Sequence, residues 1–287
     1  MFGTIFAPAA ICVCFAQGGK LWQKLECLNS FLRTSNTSLP EENEVGREGG
    51  RPRTPHRIVL KVLWFVLATG CRWADVPLEL GCSGRTAHRR LRDWEERGIW
   101  QQIHLHFLEH LRKIEALDLE IVVVDSVQVR AFGGGEDTGP SPVDRGKTGS
   151  KHTIMVDSNG VPLAIHTAPA NESDQREIIP IVLDFPQITG KPGRPKQHPD
   201  EVYADRGYDS ASTRALLRWM GIKPHIAKRN TEHGSGLGKI RWVVERTISW
   251  LKGLRRMRIR YDRLTVIQDA WNSMAQAVIC YRLGFHE

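Results

Sequence analysis

Hydrophobic positions recur at helical spacing in the segment from Thr54 to Gly70, TPHRIVLKVLWFVLATG, which predicts a buried helix. Thr54 and Pro55 are typical of a helix start, and Gly70 is typical of a helix end. A second helix is predicted after the cap residue Ser83, and a third from about Ile99 to Ile114. Three short helices of this kind resemble a helix-turn-helix module, although helical domains that never contact DNA share the pattern.

From Glu120 onward the chain changes to short runs that are rich in β-branched residues. The runs EIVVVDS, KHTIMVD and VPLAIHTA predict three strands, and the turn SNG joins the last two in a hairpin. Helix, strand, helix and strand then alternate, and two further helices end the chain. This order predicts an α/β fold with a mixed sheet and helices on both faces, preceded by the small helical region.

A chain of 287 residues with 41% hydrophobic and 25% charged residues is long enough for two units. Residues 1–50 are polar and Gly-rich near their end, so we expect a poorly ordered N-terminal segment. Residues 51–117 are then a helical domain, and residues 118–287 are the α/β domain. The apolar stretch near the N-terminus lacks a basic start and is too short for a membrane span, so we expect a cytoplasmic protein.

The formal net charge of +8 is concentrated in one part of the chain. Between Lys239 and Arg263 there are nine basic residues against two acidic ones, a local excess of seven. Such a band favours a polyphosphate partner, although a solvated basic helix face has the same composition. Six cysteines without a CxxC pair indicate neither a zinc module nor a disulfide framework.

Three carboxylates are candidates for one charged site. Asp125 follows the run IVVV and Asp205 follows VYA, and the ends of neighbouring strands in an α/β sheet form a crevice. Glu245 lies on the predicted helix RWVVERTISWLKGL. Any one of them could be a cap, a turn residue or a surface ion pair. Together they would repel one another without cations, so we expect Mg²⁺ or Mn²⁺, as a pair of ions, to be bound there.

Basic residues around these carboxylates are candidates for contacts with DNA phosphates. Arg241 and Lys252 lie on the same helix face as Glu245, one turn before it and two turns after it. Other candidates lie in the basic band, in the polar loop before the second strand and on the second helix: Arg246, Arg255, Arg256, Lys147, Lys151, Arg89 and Arg90. The loop lysines could equally keep that loop soluble.

Several stretches resemble the DDE transposases of bacterial insertion sequences, in the IS-five branch. They include GRPRTPHRIVLKVLWFVLATGCRWADVP, VDSVQVRA, ADRGYDS and RWVVERTISWLKGLRRMRIRYDR, and the resemblance extends from about Gly50 to Arg282. The last stretch carries the most specific pattern: an arginine, a glutamate and, seven residues further on, a lysine. The first 45 residues depart from that family's pattern, so we expect a shifted reading frame or a misassigned start there.

The resemblance implies a ribonuclease-H-like catalytic domain in which Asp125, Asp205 and Glu245 bind the metal ions. It implies that Arg241 and Lys252 hold DNA near the cut, and that a homodimer joins the terminal inverted repeats of the element to target DNA. Two alternatives remain at this point. One is a catalytically inactive DNA-binding remnant or repressor, and the other is a ribonuclease-H-like nuclease that cuts without strand transfer.

Overall fold

The computed structural model of the chain describes Phe31, Leu39, Pro40, Gly49 and residues 52–189, 193–228 and 238–285. The prediction of a poorly ordered segment over residues 1–50 lies almost entirely outside the described residues. Within the described ranges, no helix is both long and apolar enough to cross a membrane.

Three helices open the described chain: α1 (His56–Thr69), α2 (Gly84–Glu96) and α3 (Ile99–Lys113). The predicted cap of α2 is confirmed, because the Ser83 hydroxyl accepts a hydrogen bond from the backbone N–H of Thr86. The predicted end of α1 is confirmed as well, since Gly70 adopts a left-handed φ of 71°. The predicted start of α1 differs by one residue, because Pro55 is the N-cap residue, without a side-chain cap, and the helix begins at His56.

Among the residues that the structure describes, seven strands form one sheet: β1 (Ile121–Ala131), β2 (Gly139–Pro140), β3 (Thr148–Asp157), β4 (Pro162–Pro169), β5 (Glu201–Ala204), β6 (Lys223–Ile226) and β7 (Ile259–Arg260). The main order across the sheet is β4-β3-β1-β5-β6. Strands β4, β3 and β1 pair antiparallel, whereas β5 and β6 run parallel to β1. This mixed sheet with helices packed against it confirms the α/β fold that the sequence predicted. The two-residue strands β2 and β7 were not predicted.

Four further helices accompany the sheet: α4 (Asp174–Leu183), α5 (Ala211–Trp219), α6 (Gly238–Gly253) and α7 (Thr265–Phe285). Helix α7 packs against α2, α3 and β4, so the helical region and the sheet share one hydrophobic core. Trp73, in the turn after α1, stacks on Trp271 of α7 with ring centroids 5.5 Å apart. The division into domains near residue 117 stays a prediction.

Candidate active site

Asp125 and Asp205 become neighbours because the parallel pairing of β1 with β5 ends at the pair Val124 and Ala204. Asp125 follows Val124 within β1, and Asp205 follows Ala204, the last residue of β5. The prediction that Asp125 ends its strand is wrong, since β1 continues to Ala131 against its antiparallel partner β3. From Asp125 onward β1 no longer has β5 beside it, and the space left by β5 is the crevice in which the carboxylates lie.

Glu245 reaches the same crevice from helix α6, one turn after Arg241. The Arg241 guanidinium lies between all three predicted acids. Its nitrogens are 3.3 Å from an oxygen of Asp125, 3.4 Å from one of Asp205 and 3.8 Å from one of Glu245. The structure therefore gathers three carboxylates, from two strands and one helix, around one positive group.

The three carboxylates differ in their access to solvent. The side chain of Asp125 is 17% exposed, that of Asp205 is 44% exposed and that of Glu245 is 63% exposed. Burial raises the pKa of Asp125, and the Ser126 backbone N–H, 2.8 Å from its Oδ1, and the Arg241 guanidinium oppose that rise. Asp125 is thus the fixed member of the group, whereas Glu245 projects into solvent.

The donor set fits a hard divalent cation in its chemistry. Carboxylate oxygens are the ligands that Mg²⁺ and Mn²⁺ prefer, and the crevice already accommodates a positive group. As the side chains stand, no three His, Cys, Asp or Glu residues in the described ranges are close enough together to hold a metal ion. Arg241 lies between the three carboxylates, so a metal ion held by all three would have to displace its guanidinium.

One acidic residue beside the site was missed by the sequence analysis. Asp174, the first residue of α4, accepts hydrogen bonds from the Ser126 hydroxyl at 3.2 Å and the Lys151 ammonium at 2.7 Å. It therefore fixes the residue that follows Asp125 on β1. Ser173 and Asp174 signal a helix start in the sequence, but only the pairing of β1 with β3 brings that start to the crevice.

The predicted DNA-binding residues fall into exposed and buried groups. Those whose side chains reach solvent are Lys252, Arg255, Lys147 and Arg89, and Arg246 is half-buried against Trp242 and Trp250. Lys151 is only 4% exposed, because its ammonium bonds Asp174 and the backbone oxygen of Glu172. These bonds tie Lys151 to the start of α4, so it is not among the exposed cations, and its predicted contact with DNA stays a prediction.

Arg256 is the second predicted DNA contact that the structure places in the interior. It is 4% exposed, and its guanidinium lies 2.6 Å from Asp262 and over the ring of Trp271. The pair links the helical region to α7, because Arg256 also bonds the backbone oxygen of Cys71 and Asp262 accepts from the indole of Trp271; the predicted contact of Arg256 with DNA stays a prediction.

Arg89 and Arg90 lie at a cleft of about 800 Å³ in the helical region, together with Arg53. Arg90 is 8% exposed, and the nearest oxygen of its ion-pair partner, Asp93, is 3.8 Å away. Burial and the neighbouring Arg53 lower the pKa of Arg90. Arg53 was not among the predicted contacts, because it lies before the first helix and outside every periodic segment.

These features define a class of protein: a mixed α/β protein in which three acidic residues surround one arginine at a sheet crevice. Comparison with known proteins agrees with this class. Residues 116–280 match the family model "Transposase DDE domain", and residues 33–104 match "Putative transposase of IS4/5 family". The chain belongs to the DDE transposase family, and its activity is DNA transposition with DNA as partner.

Two relatives and one solved structure describe the similarity further. The chain is 51% identical over 148 residues to the "Putative transposase for insertion sequence element IS402" of Burkholderia cepacia, which covers 52% of this chain and 70% of the relative. It is 28% identical over 127 residues to the "Transposase for insertion sequence element IS1106" of Neisseria meningitidis serogroup B, covering 41% and 39%. The "Crystal structure of the Mos1 Strand Transfer Complex" aligns with 96% of this chain and 89% of that one, at 12% identity and a TM-score of 0.30.

Proposed function

We propose that Asp125, Asp205 and Glu245 are the catalytic carboxylates of this transposase and that they bind Mg²⁺ or Mn²⁺. The observation that supports the assignment is their arrangement around the Arg241 guanidinium, with separations of 3.3 to 3.8 Å. Like charges gathered from distant parts of the chain repel one another, so a crevice that holds three carboxylates together favours positive charge between them. The family uses divalent metal ions; the choice of metal and the presence of two ions are part of this proposal.

Divalent ions held there would activate the attacking oxygen and stabilise the leaving oxygen of a phosphodiester. The chain's own residues position the carboxylate of Asp125. The Ser126 N–H and Arg241 hold Asp125, and Asp174 holds Ser126. When Arg241 leaves the carboxylates it becomes available to a DNA phosphate at the crevice, and Lys252, near the other end of the same helix, is exposed to contact the DNA further along.

We further propose that the enzyme cuts at the terminal inverted repeats of its element and joins the freed ends to target DNA as a homodimer. The exposed cations along and after α6 suit a duplex backbone, and nucleoid DNA in the cytoplasm is the corresponding substrate. The cleft with Arg53, Arg89 and Arg90 is a second phosphate contact, because three cations line it and the carboxylate paired with its buried Arg90 is 3.8 Å away.

Strand cleavage tests the assignment directly. Purified protein is incubated with labelled DNA that carries the sequence flanking its gene, with Mg²⁺, Mn²⁺ or a chelator. We expect metal-dependent cuts at the repeat boundary that disappear in Glu245→Gln. The matched control is Glu96→Gln, which removes an exposed glutamate of α2 paired with Arg92, and which should cut normally.

The possible outcomes separate the alternatives. Cutting without joining would make the chain a nuclease, and binding without cutting under every metal would make it a DNA-binding remnant. Cutting that persists in Glu245→Gln would remove that residue from the catalytic group.

A further inference from the structure

A buried tyrosine hydroxyl lies beneath the crevice without a hydrogen-bond partner. Tyr208 is 1% exposed, and its hydroxyl forms no hydrogen bond within the described part of the chain. The same is true of the Thr153 hydroxyl on β3, which is fully buried. Buried hydroxyls in folded proteins nearly always have a partner, because an unpaired one is costly in free energy. Two unpaired hydroxyls beside the crevice therefore indicate a contact that the chain leaves unmade in this arrangement.

Ser126 is the polar group that is best placed to accept from Tyr208. Burial raises the pKa of Tyr208, and the neighbouring hydroxyls of Ser126 and Thr153 oppose that rise. Ser126 and Thr153 are opposite each other in the pairing of β1 with β3. Ser126 follows Asp125 directly, and its hydroxyl donates to Asp174 at 3.2 Å. The Ser126 oxygen keeps lone pairs that can accept a further hydrogen bond.

Tyr208 belongs to the segment that carries the second aspartate. The turn Arg206–Tyr208 begins after Asp205, whose carboxylate accepts a hydrogen bond from the Arg206 backbone N–H at 2.6 Å. The Tyr208 backbone N–H donates to the Asp205 backbone oxygen at 3.1 Å. Asp205 and Tyr208 are therefore fixed to each other, so that a movement of one moves the other.

The start of α4 contacts both segments that carry the aspartates. The Asp174 carboxylate accepts a hydrogen bond from Ser126, the residue after the first aspartate. On the second segment, Gly207 lies so close to Asp174 that a β-carbon at Gly207 would be 2.7 Å from a carboxylate oxygen. The Gln175 amide also donates to the backbone oxygen of Asp209 at 2.8 Å. The first residues of α4 therefore bridge the two segments and keep Tyr208 beside Ser126.

We propose that Tyr208 is a positioning residue: its hydroxyl donates to Ser126 when the two catalytic aspartates converge on a metal ion. This role rests on the metal site proposed above. Drawing Asp205 towards Asp125 carries the turn, and with it the Tyr208 hydroxyl, towards β1. The hydrogen bond then forms together with the metal site, so it stabilises the converged arrangement and not the present one. Tyr208 acts on the aspartates only through Ser126 and the turn.

Removal of the hydroxyl should affect stability and metal binding in opposite directions. In Tyr208→Phe no hydrogen bond is lost from the metal-free chain, so the midpoint of urea unfolding should stay equal or rise. The affinity for Mn²⁺ should fall about tenfold, because the bond that favours convergence is missing. A tyrosine that only packs against the sheet would leave the Mn²⁺ affinity unchanged.

Two measurements on the purified protein without DNA test this role. Calorimetric titration gives the Mn²⁺ affinity, and urea unfolding with a chelator gives the stability of the metal-free chain. The matched control is Tyr203→Phe, which removes the hydroxyl of a β5 tyrosine that donates to Glu201 at 2.9 Å. Tyr203→Phe should bind Mn²⁺ as the wild type does. Circular dichroism of every variant separates a lost contact from a lost fold.

Ser126→Ala identifies the acceptor through a double-mutant cycle. Once the Ser126 hydroxyl is absent, the Tyr208 hydroxyl has nothing to donate to at β1. Tyr208→Phe combined with Ser126→Ala should therefore bind Mn²⁺ as Ser126→Ala alone does. Losses that multiply in the double variant would overturn the contact between the two hydroxyls.

Asp205→Asn separates the role of Tyr208 from the metal site itself. If Asp205→Asn loses Mn²⁺ binding whereas Tyr208→Phe binds as tightly as the wild type, the metal site stands and the role of Tyr208 is overturned. If the wild type binds no Mn²⁺, or Asp205→Asn binds it normally, the metal site is wrong and the role of Tyr208 falls with it. A Tyr208→Phe protein that is clearly less stable without metal would also overturn the proposal, because its hydroxyl would then be an ordinary structural contact.

Discussion

Arg241 is the residue whose replacement tests the architecture of the crevice most sharply. It balances three carboxylates, yet metal ions would need the same space. The change Arg241→Gln removes the charge while keeping a polar side chain. We expect the protein without metal to become less stable and its affinity for Mn²⁺ to rise, because the ion no longer competes with an internal cation.

The magnitude follows from the three contacts. The pair with Asp125 involves side chains that are 26% and 17% exposed and atoms 3.3 Å apart, so it is worth about 1–2 kcal/mol. Asp205 and Glu245 are 44% and 63% exposed, and solvent screening reduces their pairs with Arg241 to a few tenths of a kcal/mol. A loss of about 1–2 kcal/mol corresponds to a factor of about 5–30 in the Mn²⁺ dissociation constant.

Two measurements check the prediction. Urea unfolding with a chelator gives the change in the free energy of unfolding, and calorimetric titration with Mn²⁺ gives the affinity. Strand cleavage by the same variant should fall although the metal binds more tightly, since the proposed phosphate contact is lost. The exposed Arg255→Gln is the control for metal binding and should leave it unchanged. If Arg241→Gln bound Mn²⁺ with equal or lower affinity, the idea that guanidinium and metal exclude each other would be refuted.

Two further predictions concern stability. Asp262→Asn leaves the buried guanidinium of Arg256 without its counter-charge, so the free energy of unfolding in urea should fall by about 3–5 kcal/mol; a loss below about 1 kcal/mol would mean that the pair does not hold α7 in place. Burial raises the pKa of Glu95 from 4.5 to about 7. Between pH 4.5 and pH 7 the folded protein therefore keeps a proton on Glu95 that the unfolded protein has lost. The free energy of unfolding should fall as pH rises through this range, by at most about 3 kcal/mol. Unfolding at several pH values should show this loss in the wild type and not in Glu95→Gln, and equal slopes in the two proteins would contradict it.

The parts of the fold that could be predicted are those set by neighbours in the sequence. The cap at Ser83, the left-handed Gly70 and the hairpin before β4 each depend on a few adjacent residues, and each lies where the pattern indicated. The length of β1 could not be predicted in the same way. The apolar run of β1 ends at Val124, which is also where its pairing with β5 ends. The strand itself continues to Ala131, because it still pairs with β3, which lies later in the sequence.

The charged residues show the same limit more clearly. Lys252 and Arg256 lie four residues apart in one basic band, and their sequence contexts give no reason to separate them. In the structure Lys252 is exposed, whereas Arg256 is buried against Asp262. The difference in exposure depends on how α7 packs, because Asp262, the partner of Arg256, also bonds Trp271 of α7. A count of charges along the sequence therefore predicts a basic band but not which of its residues are exposed.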